Sequence, residues 1–338
     1  MSSSQTLSVV VVAYRQREPL VNCLRALGLA AQELQRSDQN EISAVELIVV
    51  DNGDLSELIS EASPDALLLK PDSNLGFAGG AQLGIEAASG DWIALVNDDA
   101  TVEPDALRWL VQAGERDQRI GSVAAQVRFE GDRDRVNSAG IEVDSLGLAT
   151  ERLAGRPIAD AEEPREVFGA SACVALYRTS MLRELTGLDT RFFAYLEDVD
   201  LAWRARAAGW SAVYEPRAIA YHRGSASSGE GSATKYFLVG RNRVRLLARN
   251  ATTRQLGLLW PAIVLYDLAY ITYTALTDRN LAALHGRIAG LREWRSLRRE
   301  GRAWRREVAL CSPWTGWIQS LRQHLAYRRA AGTGRGGL

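Results

Sequence analysis

Two apolar runs without alternation, LSVVVVAY at 7–14 and VELIVVD at 45–51, dominate the first fifty positions. Runs of this kind, rich in β-branched residues, belong to strands covered on both faces. Between them, 19–36 repeats apolar residues at helical spacing, with Pro19 in the first turn, where its missing N–H costs nothing. Further runs at 66–70 (ALLLK), 92–97 (WIALVN) and 121–129 (GSVAAQVRF) alternate with helical patterns at 78–89 and 104–116, the latter entered through Pro104. Strand and helix in alternation predict a doubly wound α/β fold.

The pattern then loosens. Residues 145–166 read as an insertion bearing Gly, Pro and Glu, after which ASACVALY (170–177) resumes as a strand and Gly187 ends a short helix. Residues 224–234, GSASSGEGSAT, are too polar to pack and predict a mobile loop, with a lid as its functional reading. A basic helix, KYFLVGRNRVRLLARN, follows. The segment 256–276 carries only Asp267 as a charge and is long enough to span a bilayer. Its Pro261, Trp260, Tyr266, Tyr270 and Tyr273 fit an interfacial or buried helix better.

Composition narrows the class. The 338-residue chain is 46% hydrophobic, enough for one large core or two modest ones. Cys23, Cys173 and Cys311 lie far apart, which excludes a CxxC zinc site and a disulfide framework and fits a reducing cytosol. The opening MSSSQTLSVVVVAY lacks a basic stretch before its apolar run, which argues against a secretory leader. The net charge of −1 hides an asymmetry. From residue 278 onward there are thirteen arginines and four acids, about +9, leaving about −10 on residues 1–277. An acidic body holding an anionic ligand needs a metal ion, whereas a basic tail points to an anionic membrane or nucleic acid.

Candidate chemistry gathers where strands end. In α/β sheets, ligands sit at the carboxyl ends of strands, and Tyr14, Asp51 and the trio Asn97, Asp98 and Asp99 fall there. Asp51-Asn52-Gly53 also reads as a plain Asx turn. A second acidic cluster, Glu197, Asp198 and Asp200 in LEDVDLAWRARAAGW, opens a helix and is followed by His222. First-turn acids complement a helix dipole. Two clusters on different elements instead suggest a pocket holding a divalent metal beside a general base. The first strand-to-helix turn, AYRQREPL, has no glycine, which excludes a nicotinamide dinucleotide site. Glycines stand instead in NLGFAGG (74–80), where backbone turns tightly or passes close to a ligand.

The ordered set VVVVAY, VVDNG, NLGFAGG, LVNDD, GASACVALYR, FFAYLEDVDLAWRARAAGW and YHRGS resembles the family 2 glycosyltransferases of GT-A fold, within their bacterial rhamnosyltransferase-like branch. The resemblance runs from about residue 7 to 250. It implies a Rossmann-like mixed sheet flanked by helices over residues 1–250, followed by a mainly helical, Arg-rich, membrane-associated region over 251–338. It further implies that Tyr14 and Asp51 receive the nucleotide base, Asp51 by accepting from a pyrimidine imide, and that Asn74, Gly76 and Asp98 border the donor pocket. Asp99 takes the place of the last acid of the DxD motif, which binds Mg²⁺ or Mn²⁺ on the donor diphosphate. Asn97 replaces the first, keeping ribose contact through an amide.

In the same resemblance Asp198 matches the catalytic base and His222 a histidine completing the metal shell. Arg241 and Arg243 are candidates for the diphosphate, and Glu197, Trp203 and Arg204 for the acceptor. The implied reaction is metal-dependent inverting transfer from a nucleoside diphosphate sugar, dTDP-rhamnose or a UDP-sugar, to a glycan or polyprenyl-diphosphate-linked acceptor in cell-surface polysaccharide synthesis. Its expected place is the cytoplasm, peripheral on the inner face of the membrane. Two other classes compete. A nucleotidyltransferase would carry a glycine-rich basic loop after its first strand, which this chain lacks. A non-catalytic sugar-nucleotide or nucleic-acid binder would use the arginine-rich tail with Trp294, Trp304, Trp314 and Trp317.

Overall fold

In the computed structural model, which describes residues 5–36, 42–223, 232–313, 316, 318–320, 322, 323 and 326, the chain opens strand, helix, strand as its pattern predicts. The first half runs β1 (Gln5–Ala13), α1 (Arg17–Arg36), β2 (Ile42–Asp51), α2 (Ser56–Ala62), β3 (Leu67–Leu69), α3 (Gly76–Ala87), β4 (Trp92–Asn97), β5 (Ala100–Val102), α4 (Ala106–Glu115) and β6 (Ile120–Phe129). There follow β7 (Asp132–Ser138), β8 (Ile141–Val143), β9 (Ala149–Glu151), β10 (Arg165–Val167), β11 (Val174–Arg178), α5 (Thr179–Glu184), α6 (Glu197–Ala207) and β12 (Ser211–His222). The described chain continues in α7 (Ala233–Asn250), α8 (Thr253–Thr277), α9 (Ala282–Arg292) and α10 (Trp294–Glu300).

The main sheet has the path β10-β12-β6-β11-β4-β1-β2-β3, with β5 paired to β12 and β7 to β6. β1, β2, β3 and β4 are mutually parallel neighbours, while β11 lies antiparallel between β4 and β6. The sheet is therefore mixed. The absence of alternation in β1 and β4 now has its cause. Val9, Val11, Trp92 and Ala94 pack under α1 and α4, whereas Val10, Val12, Ile93 and Leu95 enter the opposite layer. On that second side α3 presses onto β1 through glycine. A Cβ at Gly84 would stand 2.3 Å from Val10 Cγ1, so no side chain fits there.

Three expectations need correction. The 145–166 insertion, expected only as a stretch bearing Gly, Pro and Glu, supplies β9, which pairs with β8, and leads into β10 on the sheet edge. The strand expected over 170–177 begins only at Val174, because the backbone of 170–173 leaves the sheet and turns toward α6. Of the 224–234 loop, residues 224–231 lie outside the described residues. Ala233 and Thr234 belong to α7, which Ser232 caps, its hydroxyl accepting the Lys235 N–H at 3.2 Å. Trp314 and Trp317 also lie outside them.

α8 is 25 residues long and is, among the described residues, the one helix apolar enough to cross a membrane by length and composition. Only Ile263 and Thr274 on it are buried. Its single acid, Asp267, turns inward, accepting from Arg243 on α7 and Arg287 on α9 at 2.8 Å each.

Candidate active site

Parallel pairing brings the first site residues together. Ala13 is in register with Asp51, and Val12 with Asn97, so the carboxyl ends of β1, β2 and β4 share one edge. The Tyr14 N–H donates to Asp98 Oδ2 at 2.8 Å and ties two of these ends. Burial pushes the Asp98 carboxyl up to about 7, the Tyr14 hydrogen bond working against it.

The same edge receives β12. Its register places His222 opposite Ala100, hence beside Asp99. His222 Nε2 stands 3.1 Å from Asp99 Oδ1, and Nδ1 lies 3.3 Å from Asn137 Oδ1. Asn137 was not singled out by the sequence, yet it is buried and fixes the ring from behind. Burial opposes a charge on His222, but Cys173 and Asp99 outweigh it and raise the imidazole well above its usual range. Burial also holds the Cys173 thiol neutral, so Asp99 is the partner that stabilises the imidazolium.

Asp198 arrives by another route. The Asn97 N–H donates to the Cys173 carbonyl at 2.9 Å, and one residue earlier the Ala172 N–H donates to Asp198 Oδ2 at 3.1 Å. The irregular stretch 170–173 thus carries the start of α6 to the end of β4. Asp198 is half-buried, and its Oδ1 accepts the Val199 N–H at 2.8 Å. Glu197 is 5% exposed, and its Oε2 has no hydrogen-bond partner among the described residues. Burial first, then the neighbouring Asp198, pushes Glu197 to about 8, and burial raises Asp198 as well. Two adjacent carboxyls share one negative charge most cheaply. The two N–H donors place that charge on Asp198.

Sequence reasoning missed a third carboxyl. Glu151 on β9 accepts from Ser138 and, at 3.0 Å, from Ser171. Burial, followed by the Asp198 charge, pushes it to about 7, and His222 acts in the opposite sense. Glu151 therefore lies within electrostatic reach of both Asp198 and His222. No local pattern marked it, because its setting comes from the β8–β9 hairpin.

The loop before α6 is strained. Phe193, Tyr195 and Leu196 have φ of 66°, 72° and 67°, a region that non-glycine residues rarely adopt. Asn242 on α7, fully buried, holds it by donating to the carbonyls of Phe192, Ala194 and Tyr195 at 2.8–2.9 Å. The Phe193 carbonyl in turn accepts the Ala78 N–H at 2.9 Å. A Cβ at Gly76, where φ is 70°, would fall 2.3 Å from that oxygen. Glycine is required there by both criteria. Asn74 Oδ1 accepts the Gly76 N–H at 2.8 Å, closing the turn.

Several assignments change. Arg204 is wholly buried, paired with Asp200 at 2.8 Å and donating to the carbonyls of Leu185 and Gly187, so it is a structural pillar and cannot meet an acceptor. Trp203 is 1% exposed and packs edge-on against Phe168. Arg243 is spent on Asp267, Gly147 and Leu146, and cannot reach a diphosphate. Arg241 donates to the Phe192 carbonyl at 2.8 Å and braces the strained loop instead. Asp51 forms the Asx turn, accepting from Gly53, Leu55 and Ser56, and these bonds, outweighing burial, keep it anionic.

These pKa shifts predict a pH effect. A carboxyl whose folded pKa is raised contributes stability at low pH that is lost as pH rises through the folded value. The protein should therefore lose thermal stability between about pH 5 and 8. Glu197→Gln removes part of this loss, flattening the decline in melting temperature. An unchanged pH profile in the variant, followed by differential scanning fluorimetry, would refute the placement of that proton.

The family model described as Glycosyl transferase family 2 matches residues 8–186. The N-acetylglucosaminyl-diphospho-decaprenol L-rhamnosyltransferase of Mycobacterium tuberculosis is 28% identical over 259 residues, covering 68% of this chain and 80% of the relative. Among solved structures, S. aureus TarS 1-349 superposes with a TM-score of 0.55 at 14% identity, covering 98% of this chain and 92% of that one. GalNAc-T7, solved with UDP, GalNAc and Mn²⁺, gives a TM-score of 0.56 at 15% identity over 74% of this chain, which spans 49% of its length. At these identities the structural likeness shows the fold alone.

Proposed function

Because the chain belongs to glycosyl transferase family 2, in its rhamnosyltransferase-like branch, we propose that it is a metal-dependent inverting transferase. In this reading it moves a sugar, rhamnose favoured, from a nucleoside diphosphate to a glycan or polyprenyl-diphosphate-linked acceptor in cell-surface polysaccharide synthesis. The observation that carries it is the approach of Asp198 to the strand edge that also holds the Asp99 and His222 pair. The name of the mycobacterial relative supports both the sugar and the lipid-linked acceptor.

Asp198, ionised, takes the proton of the acceptor hydroxyl as its oxygen forms a bond to the anomeric carbon. The bond from that carbon to the diphosphate breaks on the opposite face, which inverts the configuration. Glu197, holding its proton, keeps a second negative charge away from the base. Tyr14, Asp51, Asn97 and Asp98 form the wall on which the nucleoside rests.

The donor set fits a divalent cation. One carboxylate and one imidazole, already facing each other at 3.1 Å, would take Mn²⁺, and Mg²⁺ less well, once the imidazole gives up its proton on metal binding. Among the described residues no third His, Cys, Asp or Glu joins them, so a cation held by Asp99 and His222 would need further oxygen donors from outside the protein. When bound, the cation neutralises charge growing on the departing diphosphate. Such a metal was present with UDP in GalNAc-T7.

The exposed apolar residues of α8 support a peripheral position on a membrane, on the cytoplasmic side in this reading. A thermal-shift panel of UDP-, GDP- and dTDP-sugars with and without Mn²⁺ tests the function. A ligand at a hundred times its dissociation constant stabilises by about 2.7 kcal/mol. The matching donor should raise the melting temperature only with metal, and His222→Ala should abolish that dependence. No metal-dependent shift with any donor would sink the reading.

A further inference from the structure

An open cavity of about 480 Å³, lined by Thr252, Thr253, Arg298, Arg299, Arg302 and Arg305, lies away from the strand edge. None of the six is acidic, and none of the four arginines forms an ion pair among the described residues. Arg298 is braced by neutral oxygens, donating to the Ala251 carbonyl at 2.5 Å and to Thr253 Oγ1 at 3.0 Å. Arg305 donates to the Arg298 carbonyl, and its Nε is buried without a partner. Burial, then the nearby Arg305 and Arg302 charges respectively, lowers the pKa of Arg298 and Arg305. Like charges are held together here without a counter-ion. Thr252 caps α8 and Thr253 begins it, so the positive end of a 25-residue helix opens into the same space.

The second observation is what α8 carries away from this cavity. Leu258, Trp260, Leu265, Leu268 and Leu276 are 56–77% exposed, while Asp267 is turned inward onto two arginines. A free phosphate has no use for an adjoining apolar face. A phospholipid, whose acyl chains follow its phosphate, does.

We propose that this cavity binds the phosphate of an anionic glycerophospholipid and so seats the outer face of α8 in the leaflet. The inference rests on the membrane-peripheral part of the reading above and adds the site and the ligand. Arg299 and Arg302 are exposed and free to reach the headgroup, while Arg298 and Arg305 form the floor.

The test is cosedimentation of the full chain with phosphatidylcholine vesicles, with and without phosphatidylglycerol. Each basic residue near an anionic leaflet contributes on the order of 1 kcal/mol, so Arg299→Gln with Arg302→Gln should weaken binding to the anionic vesicles roughly thirtyfold. Binding to phosphatidylcholine alone and the melting temperature should not move. Equal binding of parent and double variant to the anionic vesicles overturns the proposal. So does displacement from them by inorganic phosphate, or retention of a DNA duplex in place of vesicles. The measurement uses no sugar donor, so a failed thermal-shift panel and a failed vesicle assay are separate results.

Discussion

Asp198→Asn should lower turnover by at least 10² and by as much as 10⁴, the range contributed by a positioned general base. The amide keeps the size of the carboxylate and its single oxygen can keep the Ala172 N–H that docks the loop 170–173, while the Val199 N–H, held by the other carboxylate oxygen in the parent, loses its acceptor. What it loses is the capacity to take a proton. Donor binding, which the proposed reading assigns to the wall from Tyr14 to Asp99, should remain within a fewfold of the parent. Steady-state kinetics with separate titration of the donor distinguishes the two quantities. Near-normal turnover would show that another group accepts the proton, and Glu151 would be the first to examine. Because burial raises Asp198, activity of the parent should climb from acidic toward neutral pH as the carboxylate forms.

Asp200→Ala, only two residues along the same helix, should act on stability instead. Its carboxylate is fully buried, receiving Arg204 at 2.8 Å and Asn250 at 2.8 Å, with Arg249 at 3.4 Å. Removing it leaves the Arg204 guanidinium uncompensated in the interior, a change that costs about 3–5 kcal/mol. Urea denaturation should show the loss in the midpoint, with little change in slope. Replacing both partners by apolar residues of similar volume, Asp200→Leu with Arg204→Met, should recover much of it. A single-variant loss below about 1 kcal/mol would contradict this account.

The contrast between Asp198 and Asp200 shows where sequence was legible. Strands β1, β2 and β4 announce themselves because burial on both faces writes an unbroken apolar run. The residues at their ends follow from the pairing. β12 escaped notice because SAVYEPRAIAYH is interrupted by Glu215 and Pro216, at the point where its register with β6 shifts. Arg204 and Arg243 misled for a related reason. A guanidinium reads as a surface charge unless carbonyls from distant loops surround it, and those at 185–187 and 146–147 are supplied only by the finished fold. Asn137, Glu151 and Asn242 are single polar residues with no periodic signal. Each matters through a partner far away in the chain.

The grip of Asn242 on the loop ahead of α6 limits how a soluble derivative can be engineered. α9 crosses α7 so closely that a Cβ at Gly286 would strike the Phe237 carbonyl, which makes the tail a splint for the helix that carries Asn242. Trimming the arginine-rich end to gain solubility would loosen that splint and, through it, the active-site loop. Polar replacements at Leu258, Leu265 and Leu268, all exposed on α8, would leave that splint in place.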